Sequence, residues 1–198
     1  MRTITATLLS AAIVMALAAP AVAEQQRIRG EVQSVSGQQV TLKTPEGKNV
    51  KVTLEKDLRV QHAAKASLAD IKPGSFVGTG ALPDGKDWKA AEVHIFPAGS
   101  RTGEGHRPWS TNPAGTMTNA EVTASAVSAG NGKLTLNTGG QNYTINVPPE
   151  TPIVRFEKGT KEMIKKGAWV EVVGEEKNGS VDAKSVLVSD DRRYPVRN

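Results

Sequence analysis

Residues 97–116 read Pro-Ala-Gly-Ser-Arg-Thr-Gly-Glu-Gly-His-Arg-Pro-Trp-Ser-Thr-Asn-Pro-Ala-Gly-Thr, and this stretch separates two similar halves of the chain. Its density of Gly, Pro, Ser and Asn predicts a connector without regular secondary structure, with bounds at residues 97–117. A carboxylate, an imidazole, a guanidinium and an indole lie close together in it, at Glu104, His106, Arg107 and Trp109. The connector is therefore both a predicted domain boundary and the most chemically varied short segment of the sequence.

The first half of the chain shows the periodicity of a small β-domain. Apolar residues that alternate with polar ones predict three antiparallel strands over residues 27–54. Val35 is out of phase with the preceding apolar residues, which predicts a bulge near Gly30 or Ser34. A single helical turn is expected at residues 67–71, followed by two further strands.

The second half repeats these elements in the same order, about 90 residues further along the chain. The matching pairs of segments are 31–32 with 121–122, 40–42 with 134–136, 50–54 with 143–147, 67–74 with 160–167, and 90–95 with 183–188. Because five elements keep their order and spacing, the pattern indicates an internal duplication.

Three strands, a helical turn and two more strands is the order of elements in an OB-type barrel. The sequence thus predicts an all-β fold of two tandem five-stranded OB-like barrels, each with one short helical turn between its third and fourth strands. The expected domains are residues 24–96 and 118–189, with a charged C-terminal tail at 190–198 that is solvated or frayed. A pair of small antiparallel sandwiches is the alternative that the same alternation would allow.

The N-terminal residues predict export. A basic start, an apolar run and an Ala-Val-Ala end indicate a signal peptide at residues 1–23. The chain has no cysteine and a formal net charge of +5, with acidic residues interleaved among the basic ones. These properties favour a soluble periplasmic or secreted protein without a transmembrane segment, and they do not favour a nucleic-acid partner.

The repeated pattern of Gly/Ala-Glu-Val, Val/Leu-Thr-Leu and Ile-Lys-x-Gly-x-aromatic-Val resembles that of a bacterial exported family of unknown function with tandem OB-like domains. The resemblance covers residues 27–96 and 118–188, and residues 102–109 resemble the connector of one proteobacterial subgroup. Similar sequences are sometimes labelled metal-transport permeases, but a permease needs several membrane-spanning helices, which the mature sequence does not contain. The resemblance implies a soluble barrel protein and transfers no catalytic residue.

A metal site is the sharpest site hypothesis. His94, Glu104 and His106 supply two imidazoles and a carboxylate, the ligand types that a divalent transition metal such as zinc takes. They would converge if the connector folded back along the last strand of the first domain. The alternative is that His94 lies on a solvent face while the other two belong to a mobile loop.

Arg107 and Trp109 suggest a partner site, because a guanidinium beside an indole can grip an anionic partner. The competing interpretation, which we favour, is that Trp109 packs in the interface between the two domains and fills it. The basic clusters at residues 161–166 and 192–197 are diluted by acidic residues and indicate solvated surface. The chain has no cysteine nucleophile, no Gly-x-Ser-x-Gly motif around Ser100 and no phosphate-binding glycine loop, and Glu104 lies on a flexible segment. A non-enzymatic envelope module that binds an unknown protein or glycan is therefore expected, with a periplasmic metal-binding accessory protein as the alternative.

Overall fold

The computed structural model describes residues 25–128 and 131–196, so the predicted signal peptide lies outside the described residues. The described chain is all-β and contains a five-stranded barrel with additional strands. None of its helices is long and apolar enough to cross a membrane. The strands are β1 Gln25–Ser36, β2 Gln39–Lys43, β3 Asn49–Lys65, β4 Phe76–Asp84, β5 Asp87–Ile95, β6 Gly105–Trp109, β7 Asn112–Ser128, β8 Asn131–Thr138, β9 Gln141–Val147, β10 Ile153–Lys158, β11 Trp169–Lys177 and β12 Ser180–Ser189.

Strands β1, β2, β3, β11 and β12 close into one ring of pairings, the first ring. β1 to β3 form an antiparallel meander, and a bulge between Val32 and Ser34 lies where the phase of Val35 predicts one. β11 pairs with β1 and β12, and β12 runs parallel to β3, which completes the ring. Alternate strand residues point inwards and, together with Ile164, form an apolar core. Its strand residues are Val32, Val40, Leu42, Val52, Leu54, Val170, Val172, Val181, Ala183, Val186 and Val188.

Strands β4, β5, β7, β8 and β9 close into the second ring in the same way. β7 to β9 form the meander, again with a bulge, here between Val122 and Ala124. β4 pairs with β7 and β5, and β5 runs parallel to β9. The core of this ring is Leu68, Ile71, Val77, Ala90, Val93, Ile95, Ala120, Val122, Leu134, Leu136, Ile145, Val147 and Ile153.

Each ring combines strands from both halves of the sequence. The first ring joins β1–β3 of the first copy to β11–β12 of the second, and the second ring joins β7–β9 to β4–β5. The strands are thus grouped differently from the expected domains 24–96 and 118–189. β10 links the rings, because it pairs antiparallel with β3 and parallel with β5.

Two 3₁₀ turns, Leu68–Asp70 and Lys161–Met163, precede the exchanged strand pairs. In the first turn, the backbone N–H and the hydroxyl of Ser67 donate to Oδ2 of Asp70 at 2.9 and 2.8 Å. Leu68 then enters the core of the second ring and packs against Gly132, where a Cβ would lie 2.6 Å from Cδ1 of Leu68. Ile164 follows the other turn and enters the core of the first ring. Each turn therefore packs in the same ring as the strand pair that follows it, against the meander of the other copy.

The expectation that residues 97–117 lack regular structure is wrong for their second half. β6 and the start of β7 lie there, and the two pair antiparallel, with His106 opposite Thr118. Pro108 is compatible with this arrangement because β6 pairs on one side only, as an edge strand. Three of the five paired positions, including Arg107 with Met117, lie within residues 97–117, so the segment forms a local hairpin that its Gly and Pro content does not reveal.

The described part of the charged tail packs across both rings rather than fraying. Arg29 Nη1 of β1 donates to the carbonyl of Pro195 at 3.0 Å, and Arg193 Nη1 donates to the carbonyl of Glu150 at 2.7 Å. Tyr194 is buried in a small cluster with Ala63 of β3 and Val154 of β10. The segment therefore holds the junction of the rings together, while Arg197 lies outside the described residues.

Candidate functional site

The outer faces of the two rings meet across a cleft of about 700 Å³. Strand alternation supplies its charged lining. In β5, Val93 lies in the core of the second ring while Glu92 and His94 face the cleft. In β11, Val172 lies in the core of the first ring while Glu171 faces the cleft. The lining residues are Arg27, Arg59, Val60, Gln61, Glu92, His94, Arg107, Pro108, Trp109, Ser110, Thr111, Met117, Phe156, Glu171, Val173, Ser185, Val186, Leu187, Tyr194 and Pro195.

Three glycines on the outer face of β4 and β7 let two aromatic side chains of the cleft wall, His94 and Trp109, lie close to the backbone. A Cβ at Gly78 would overlap Nε2 of His94. A Cβ at Gly80 would lie 2.5 Å from Cζ2 of Trp109, and one at Gly115 would lie 3.0 Å from Cε3 of the same indole. The missing side chains therefore make the space in which the imidazole and the indole pack.

His94 is enclosed by aromatic side chains and is only 6% exposed. Its ring stacks on Phe156 with centroids 4.8 Å apart, and its Nδ1 lies 3.3 Å from the hydroxyl of Tyr194. Burial, with a smaller contribution from the nearby charge of Arg107, lowers the pKa of His94 to about 3. The imidazole is therefore neutral at physiological pH.

Two carboxylates are buried in the same wall. Glu92, which is 2% exposed, accepts a hydrogen bond at 2.6 Å from the backbone N–H of Val196. Glu171 accepts one at 3.3 Å from Nη1 of Arg27. Burying a charge is costly unless it is paired, so the tail and the arginine stabilise the two carboxylates in place.

The structure does not bring His94 and His106 together. His94 of β5 is opposite Gly78 of β4, which is opposite Asn119 of β7. His106 of β6 is opposite Thr118, the neighbour of Asn119. Because successive residues of a strand point to opposite faces, the two imidazoles lie on opposite faces of the sheet.

His106 belongs to an aromatic group beside the core of the second ring. Its ring stacks on Tyr143 with centroids 4.2 Å apart and lies 5.3 Å from the ring of Trp88. Its Nδ1 is 2.8 Å from Oγ1 of Thr118, and burial lowers its pKa. Glu104, the third residue of the metal hypothesis, is exposed just before β6.

A zinc site formed by His94, Glu104 and His106 stays a prediction. Within residues 25–128 and 131–196, no group of three or more His, Cys, Asp and Glu side chains is placed to hold a metal ion. Calorimetric titration of residues 24–198 with zinc, copper and nickel tests the hypothesis. Saturable binding that His106→Ala abolishes would support it, and the absence of binding heat with all three metals would contradict it.

The two residues proposed for partner binding both lie at the cleft. Trp109 is 3% exposed and fills the space above Gly80 and Gly115, so most of its indole is inaccessible to a partner. Arg107 is exposed, and its Nη1 donates to the carbonyl of Gly103 at 2.6 Å. Of the pair, the guanidinium is the group that can contact a ligand.

Arg59, Glu92, Glu171 and Tyr194 are among the residues of the cleft that were not predicted from the sequence. The two glutamates carried a usable signal, because each is the single acid within a short run of apolar residues, as in Ala-Ala-Glu-Val and Trp-Val-Glu-Val-Val. Such a residue is costly to bury without a partner, so its position indicates a special environment. Arg59 and Tyr194 carried no local signal, since the opposing ring creates their surroundings.

Comparison with models of known protein families, with curated proteins and with solved structures finds no match. The function is therefore inferred from the cleft and from the residues that line it.

Proposed function

We propose that this chain is a non-enzymatic binding or adaptor module of the bacterial cell envelope, and that it takes a ligand in the cleft between two OB-like barrels. The order of strands around each ring supports the barrel assignment. In each ring the three-stranded meander is closed by a strand pair whose last member runs parallel to the third strand. This is the strand order of the five-stranded Greek-key barrel, a scaffold used for binding oligonucleotides and oligosaccharides.

The observation that carries the proposal is the burial of His94, Glu92 and Glu171 in the wall of the cleft. A junction that only joined two barrels would be more stable with apolar side chains at these positions. Convergent polar groups and a strongly shifted pKa in a cavity between two structural units are typical of a ligand site.

The exchange of strands supports a preformed site. Neither ring can move far from the other, because β3 and β5 are both paired with β10. A ligand would then bind without first ordering the two walls, which reduces the entropic cost of binding.

Chemical-shift mapping on the ¹⁵N-labelled mature chain tests the proposal with a panel of sugars, short glycans, amino acids and small organic anions. We expect at least one class to cause saturable shifts at cleft residues. Ser185→Trp, which places an indole in the cleft, should abolish them, whereas Lys177→Trp on the exposed end of β11 should not. Shifts that persist in Ser185→Trp, or none with any class, would contradict the proposal.

A further inference from the structure

Two guanidinium groups at the cleft lack an ion pair with any carboxylate in the described part of the chain. Among the described residues, no Asp or Glu forms an ion pair with Arg59 of β3 or with Arg107 of β6. Both side chains are exposed and line the cleft, and the contact of Arg107 with the carbonyl of Gly103 uses only one of its nitrogens. Each group thus keeps donors for a ligand.

The rest of the cleft offsets these two charges only in part. Its lining carries three arginines and two glutamates. Glu171 accepts from Arg27, and Glu92 accepts from the backbone N–H of Val196. His94 adds no charge, because it is buried and neutral. Three arginines against two glutamates leave the lining with one surplus positive charge, and Arg59 and Arg107 are its arginines without an ion pair among the described residues.

Apolar side chains from both rings line the same cleft as the two arginines. Met117 of β7, Phe156 of β10, Val173 of β11 and Leu187 of β12 are all half-buried at the cleft. Partial exposure of such side chains inside a concave site leaves apolar surface for a ligand to cover. The cleft thus combines two exposed arginines with partly exposed apolar surface.

We propose that the cleft binds a small organic anion, whose carboxylate or phosphate head is held by Arg59 and Arg107 and whose apolar body lies against Met117, Phe156, Val173 and Leu187. The inference rests on the proposed function and names its ligand class. Guanidinium groups match carboxylate and phosphate oxygens with paired, charge-assisted hydrogen bonds. One arginine lies on β3 of the first ring and the other on β6 beside the second ring. The ligand would therefore bridge the two rings of strands.

Calorimetric titration of the mature chain with 2-naphthoate, 2-naphthyl phosphate and neutral 2-naphthalenemethanol tests this inference. We expect one-to-one binding of at least one anion and binding of the alcohol at least about tenfold weaker, as expected for charge-assisted hydrogen bonds. The preference between the two anions identifies the head group.

Matched variants locate the binding. Arg59→Gln and Arg107→Gln should each weaken binding of the anion about tenfold or more. Lys177→Gln, which removes one charge at an exposed position outside the cleft lining, should leave the affinity for the anion unchanged. Near-ultraviolet circular dichroism of each variant confirms that the fold is intact. Equal binding of the alcohol, unaltered binding in both arginine variants, or no binding of either anion would overturn the inference. If the alcohol binds equally well and Ser185→Trp blocks it, only the ligand class is wrong and the proposed function stands.

Discussion

Lowering the pH from 7 to 4.5 should reduce the free energy of unfolding by roughly 2–3 kcal/mol through His94 alone. The folded-state pKa of this imidazole is about 3, below the ordinary value of 6.5, because burial disfavours the cation and the charge of Arg107 adds to the effect. The unfolded chain therefore takes up a proton that the folded chain does not. The stability that neutral His94 confers is complete above pH 6.5 and is lost progressively as the pH falls towards 3.

Urea unfolding of the wild type and of His94→Gln, at pH 7 and at pH 4.5, measures this effect. The stability difference between the two proteins should shrink by the stated amount at the lower pH. His106, whose pKa is also lowered, is present in both proteins and cancels from the difference. The lowered carboxyl pKa values of Asp70 and Asp191 affect stability mainly below pH 4.5, since the ordinary pKa of these groups is near 3.8. Parallel pH profiles would contradict the expectation.

A second measurement needs no variant. In the wild type, the imidazole resonances of His94 should stay at their neutral positions between pH 7 and pH 5. Titration of His94 with a midpoint near 6.5 would show that the imidazole is solvated. That result would contradict its burial against Phe156 and Tyr194.

Local features of the fold could be predicted from the sequence because nearest neighbours determine them. The alternation of Val93 with Glu92 and His94 assigns the two faces of β5, and the structure places Val93 in a core and the other two at the cleft. The phase error at Val35 predicts a bulge, and one occurs between Val32 and Ser34. In both cases the cause lies within a few residues along one strand.

The exchange of strands could not be predicted because the two copies carry the same pattern. β4–β5 and β11–β12 present equivalent apolar residues, such as Ala90 and Ala183, so either pair fits either meander. The choice depends on linker lengths and on contacts between the rings, including the pairing of β10 with both. Periodicity within one copy contains no information on these.

The candidate site was predictable only in part for the same reason. The residue types of His94, Arg107 and Trp109 drew attention to them, but their surroundings depend on residues far away in sequence. Phe156 and Tyr194, which enclose His94, come from the second half of the chain. A residue can therefore be recognised as unusual from the sequence while its role depends on the fold.

The cleft exists only where the exchanged rings meet, and an engineered disulfide can show whether the strands are exchanged. The chain has no cysteine, and Oγ1 of Thr53 in β3 lies 3.2 Å from Oγ of Ser180 in β12. Asp87 is the equivalent of Ser180 in the first copy, because the next residues, Trp88 and Val181, pair with β9 and β3 in the same way.

The measurement is oxidation of two double variants as purified monomers, followed by peptide mass analysis. We predict that Thr53→Cys/Ser180→Cys forms an intramolecular disulfide and that Thr53→Cys/Asp87→Cys stays reduced, because a disulfide requires its two Cβ atoms to lie about 4 Å apart. A disulfide in the second variant and none in the first would show that each copy closes on itself, which would contradict the exchange and remove the basis for the cleft.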